Sequence, residues 1–206
     1  MKINPAAALV AGGLTLALAG GVLTWCSLPN GPAPAGQVPR VMETRDAVAL
    51  PDFTLRGPRG EFRNSDLLGR WTFMFFGYTQ CPDICPTALA LMKDIKAIAV
   101  SPAPTFNVVF VSVDPRRDTN ELLRDYLAAF DAAFIGVSGS DEALRPLTDA
   151  LKVEYRRHDE KDSRTYTVDH GAAIHLIDPR GRPVAVFPPP QQAAVLAAEF
   201  ARLAAH

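Results

Sequence analysis

The sequence predicts an α/β domain, a mixed central sheet with helices on both faces, carried behind an N-terminal transmembrane anchor. Three observations predict it. Trp71–Tyr78 and Asn107–Val113 are continuous apolar runs of strand length, the pattern of strands buried on both faces. Each is followed by a segment of helical period, and the chain then closes with a hairpin pattern and a last helix. Ala6–Trp25 carries no charge over 20 residues, which as a helix spans roughly 30 Å, the thickness of a bilayer core.

Composition narrows the function classes. The 206 residues are 48% hydrophobic and 21% charged, with 21 Lys plus Arg against 22 Asp plus Glu. A net charge of −1 excludes nucleic-acid binding by bulk charge, which needs a basic excess, and it excludes an acidic disordered chain. Three cysteines are too few for a disulfide scaffold.

In chain order, residues 1–26 are expected to form the anchor. Lys2 ahead of it favours an N-in, C-out orientation. Ala17-Leu18-Ala19 has the form of a signal-peptidase site, so a cleaved signal peptide is the alternative, but Gly20–Trp25 continues the apolar run beyond what such a peptide needs. Bulky Trp25 argues against a lipoprotein site at Cys26, which reads as an interfacial residue without a role. Residues 27–45 are expected to be a tether, because the four prolines and two glycines of Ser27–Arg40 hold neither a regular helix nor a central strand. The globular domain is expected over 46–206. A bacterial inner membrane with the domain facing the periplasm is the expected location.

Phe53–Leu55 and Glu61–Phe62 read as short strands about a Gly-Pro-Arg-Gly turn. After the Trp71–Tyr78 strand, Thr87–Val100 places Leu91, Ile95 and Ile98 at helical spacing. Asp118 and Glu121 look like a capping pair for the next helix, and Ser140 like the cap of a third, kinked or broken near Pro146. Phe134–Val137 is a short strand between them. Val153–His158 and Thr165–Val168 are expected to pair. Ala172–Ile177, the turn Asp178–Gly181 and Pro183–Phe187 form a hairpin, and Gln191–Ala204 is an amphipathic helix.

The chemistry concentrates in a loop between the first buried strand and its helix. Cys81 and Cys85 flank Pro82, and Pro86 marks a helix start near itself, so both sulfurs are expected near a helix N-terminus that favours thiolate. From spacing alone the pair fits a structural disulfide, a redox dithiol or two metal ligands. His170 stands at the mouth of a strand beside Gly171, and becomes a third candidate donor. His175, five residues on, points to the opposite face of that strand and should not share the site. His158 and His206 read as solvated. Asp114 ends the strand beside the cysteine loop and reads either as support for the metal site or as a turn residue paired with a nearby arginine. Tyr78 reads as a core aromatic beneath the loop.

FGYTQCPDICP, FVSVDPRRDT and YTVDHGAAIHLIDPRG, together with DFTL and FIGVSGS, resemble the SCO/SenC family from about residue 51 to 188. The resemblance implies a thioredoxin-like fold, a membrane anchor and a copper site made by Cys81, Cys85 and His170. It implies work on the binuclear copper centre of cytochrome c oxidase, with the copper-centre subunit and a copper-donor protein as partners. Gln80 stands where the family often has histidine, and His175 where it often has an aromatic. Two soft sulfurs and an imidazole independently suit Cu(I) and also accept Cu(II), whereas zinc prefers four ligands, or three plus water. Asp169 or a backbone carbonyl is expected to fix the second imidazole nitrogen. The expected function is copper metallochaperone rather than enzyme. The alternative is a thiol–disulfide oxidoreductase using Cys81 and Cys85 on the oxidase's own cysteines. No Thr-x-x-Cys pattern supports a peroxidase.

Overall fold

The computed structural model describes residues 41–44, 46–98, 104–158 and 166–205, within a compact unit of Pro39–His206. The expected anchor, Cys26, the tether as far as residue 40, and His206 lie outside the described residues. Among the described residues no helix is long and apolar enough to cross a membrane.

The chain forms β1 (Met42–Glu43), β2 (Thr54–Gly57), β3 (Gly60–Arg63), a 3-10 turn (Asn64–Leu67), β4 (Trp71–Gly77) and α1 (Ile84–Ile98). There follow β5 (Phe106–Ser112), α2 (Asn120–Ala128), β6 (Ile135–Ser138), α3 (Asp141–Leu151) and β7 (Tyr155–His158). β8 (Thr167–His170), β9 (Ile174–Ile177), β10 (Pro183–Phe187) and α4 (Ala193–Ala204) complete it. Eight strands make one sheet in the order β1-β10-β9-β4-β5-β6-β2-β3. β4, β5 and β6 run parallel, and the flanking strands are antiparallel. Among the described residues β7 and β8 pair only with each other, as a separate ribbon.

The apolar run of β4 explains its central place. Phe73, Met74, Phe75 and Phe76 are at most 1% exposed, so both faces are covered. On the Phe73 face, Phe200 of α4 packs against Trp71, Phe73 and Phe106. α2 lies on the same face, so close over β6 that a Cβ on Gly136 would stand 2.9 Å from Leu123. On the other face α3 lines a groove with His175 and Val186. The mixed sheet with helices on both faces is therefore present.

Local details depart from expectation in two places. Thr119, not Asp118, caps α2, its hydroxyl accepting from the Leu122 N–H; Asp118 is withdrawn into the core. Pro146 neither ends nor breaks α3, because burial of Leu144, Leu147 and Leu151 along one face holds the helix through the lost N–H. Helix α1 starts at Ile84, which puts Pro86 in its first turn as expected. The Asp178–Gly181 turn is as expected: the Asp178 carboxylate accepts from the N–H groups of Arg180 and Arg182, each at 2.9 Å, and Gly181 takes φ +74°.

Candidate metal centre

β4 ends at Gly77, and the chain then crosses Tyr78–Asp83 to enter α1. This loop is pinned through its first residues. The Cys81 N–H donates to the Tyr78 carbonyl at 3.2 Å. Buried Asp118 accepts from the Thr79 N–H at 3.1 Å, from the Thr79 hydroxyl at 2.6 Å and from the Ser112 hydroxyl at 2.6 Å. The loop carrying Cys81 is thus tied to the end of β5.

Cys85 is the second residue of α1 and lies against the end of β4. A Cβ on Gly77 would come within 2.5 Å of its sulfur, so glycine there leaves the space that the thiol fills. Both cysteines are free; Cys81 is 9% exposed and Cys85 is fully buried. Burial pushes the Cys85 thiol well above its ordinary value, with Cys81 beside it adding to the rise. This corrects the thiolate expected at Cys85 from the helix N-terminus: burial of its sulfur disfavours the charged form.

His170 ends β8 and turns its ring between aromatic edges, 5.7 Å from Tyr78 and 6.0 Å from Phe75 by centroid. Nδ1–H donates to the Gly171 carbonyl at 3.1 Å, which leaves the Nε2 lone pair free. Nε2 lies 3.4 Å from the Cys85 sulfur. Burial lowers the imidazole's pKa, so the ring is neutral near pH 7. The donor atoms of Cys81, Cys85 and His170 all lie within 4.8 Å of one another. Two thiols and an unprotonated imidazole nitrogen in this space form a donor set suited to a soft metal ion.

The other candidates divide. A backbone carbonyl, not Asp169, orients His170; Asp169 instead meets His158 Nε2 at 2.5 Å, so His158 is paired rather than merely solvated. Asp114 is buried and engages Arg117 and the Tyr166 hydroxyl, the arginine pairing of the two readings. His175 packs on Phe76, on the sheet face away from His170. Tyr78 is buried and edge-on to the His170 ring. Sequence reasoning missed Gly77, Asp118 and Arg117 as parts of this centre; the DPRRD run drew attention to the last two, but their partners are distant in the chain.

The SCO1/SenC family model matches residues 42–205. A SCO2-like protein of Rickettsia prowazekii is 38% identical over 163 residues, which is 78% of this chain and 78% of that protein. A SCO2-like protein of Rickettsia conorii is 41% identical over 133 residues, 64% of this chain, and the match spans 65% of its length. The copper-bound structure of Bradyrhizobium japonicum ScoI superimposes with a TM-score of 0.66 at 34% identity, over 75% of this chain and 99% of that one. The parallel β4–β5–β6 core with antiparallel β9 and β10 beside it is the thioredoxin-like arrangement.

Proposed function

Because the chain belongs to the SCO1/SenC family, we propose that Cys81, Cys85 and His170 bind copper and that the domain is a copper metallochaperone. In this reading residues 1–26 anchor it in a bacterial inner membrane, 27–45 tether it, and the domain works in the periplasm. It takes copper from a donor protein and delivers it to the copper-centre subunit of cytochrome c oxidase.

The observation that carries the reading is the convergence of three donors within 4.8 Å, although Cys85 and His170 are 85 residues apart in the chain. Copper is cargo here, and each residue prepares to hold it. The Gly171 carbonyl fixes the tautomer of His170 and points Nε2 inward. Burial keeps that ring neutral and so able to donate. Cys85 enters as a protonated thiol, so metal binding releases its proton. The same burial disfavours Cys85 as an attacking thiolate in disulfide exchange, and an imidazole aimed at the sulfurs serves ligation better than exchange.

The test is anaerobic titration of the reduced full-length chain with Cu(I) against a competing chelator, and with Cu(II) by absorption. One retained Cu(I), lost in Cys81→Ser and Cys85→Ser, and a sulfur-to-copper(II) band that disappears in His170→Ala, is the expected result. A reduced wild-type chain that retains no copper refutes it. Oxidase assembly that survives His170→Ala but not either cysteine change favours the thiol–disulfide oxidoreductase instead.

A further inference from the structure

His170 arrives on a ribbon that the main sheet does not hold. Among the described residues the backbone ladder of β8 is with β7 alone, so the distance from imidazole to sulfurs depends on side-chain ties, the Tyr78 hydroxyl against the Val168 backbone being one. Two ties hold β7. Arg157 donates to the Val113 carbonyl at 2.7 Å and to Asp141 at 2.8 Å, and the Tyr155 hydroxyl donates to Asp141 at 2.7 Å. A further tie holds the strand that leads to His170. Arg117 Nη1 donates to the Tyr166 carbonyl at 2.9 Å, and its guanidinium lies 3.7 Å from the Tyr166 ring centroid.

The same nitrogen also reaches the cysteine side. Arg117 Nη1 donates to Gln80 Oε1 at 3.0 Å, on the residue before Cys81. Arg117 is itself fixed by its Nε–H to buried Asp114, and its side chain is 12% exposed. A single guanidinium therefore joins the segment carrying Cys81 to the segment carrying His170. We propose that Arg117 is a positioning residue that sets the spacing of His170 from the two sulfurs. The proposal rests on the copper reading of this site. A planar guanidinium with several fixed donors can span Asp114, Gln80 and Tyr166 together; a lysine ammonium, a point charge on a flexible stem, cannot hold all three.

Two variants of the full-length chain test it. Arg117→Lys keeps the charge that balances Asp114. Gln80→Met, at an exposed position, removes only the cysteine-side arm. Three readouts are used: alkylation of Cys85 by iodoacetamide in the metal-free reduced protein, the His170 ring signals by NMR in the same state, and release of copper to a chelator. Arg117→Lys should speed Cys85 alkylation at least fivefold, move the His170 signals away from their positions beside Tyr78 and Phe75, and speed copper release at least tenfold. Gln80→Met should show the same changes at about twofold, with an unchanged melting temperature. Unchanged alkylation and unchanged His170 signals in Arg117→Lys overturn the proposal; if that variant does not fold, unchanged values in Gln80→Met overturn it. A wild-type chain that holds no copper refutes the metal reading instead, and the metal-free measurements still judge Arg117.

Discussion

Replacing His175 by phenylalanine should make the protein resist acid. His175 is 4% exposed, edge-on to Phe76 at 5.9 Å, and its buried Nδ1 has no hydrogen-bond partner among the described residues. Desolvation alone drives its pKa from 6.5 down to about 4. In the unfolded chain the imidazole binds its proton as the pH falls through 6.5; in the folded chain it waits until about 4. Between those values the unfolded state holds the extra proton, so folding stability declines as the pH falls and levels off below the folded value. At about 1.36 kcal/mol per pH unit, the gap is worth about 3 kcal/mol. A phenylalanine at 175 has no such term, while any repacking strain it brings is the same at every pH. Urea unfolding of metal-free wild type and His175→Phe at pH 7.5, 6, 5 and 4.5 measures the difference. The stability advantage of the variant should grow by about 2–3 kcal/mol from the top of that range to the bottom. Two stability curves that run parallel across it would refute the reasoning.

Two further substitutions probe the frame of the metal centre. Gly77→Ala puts a methyl group 2.5 Å from the Cys85 sulfur and 3.0 Å from the Phe110 ring, so it should destabilise by about 1–3 kcal/mol and weaken copper retention; wild-type values in both urea unfolding and chelator competition would contradict the close approach. Asp118→Asn replaces an acceptor of three hydrogen bonds with a group that presents an unwanted donor, at an expected loss of about 1–3 kcal/mol. Hydrogen exchange at Thr79 and Cys81 should accelerate with it, and unaltered exchange there would show that the loop does not depend on this carboxylate.

Much of this protein was legible in one dimension because its strongest signals are local. The apolar runs that became β4 and β5, the Asp178–Gly181 turn and the cap at Ser140 depend on neighbours a few residues away. Cys81, Cys85 and His170 were named as donors because their residue types and motifs stood out, and the fold brings them together. What escaped depends on burial. Asp118 had the spacing of a helix cap, but Thr119 lay one residue closer and the carboxylate found three donors inward. The helix dipole suggests a thiolate at Cys85, yet burial of its sulfur against Gly77 favours the thiol, and burial is a property of packed neighbours rather than of spacing. Pro146 is a breaker by its own chemistry, and the apolar face around it decided otherwise.

The two sulfurs are unequally covered, and the inequality gives the centre a front and a back. Cys85 lies sealed beneath the strand end, whereas Cys81 reaches the rim beside exposed Pro82 and Ile84. A donor atom arriving from solvent meets the half-buried His170 ring and the rim of Cys81 before it reaches the Cys85 sulfur.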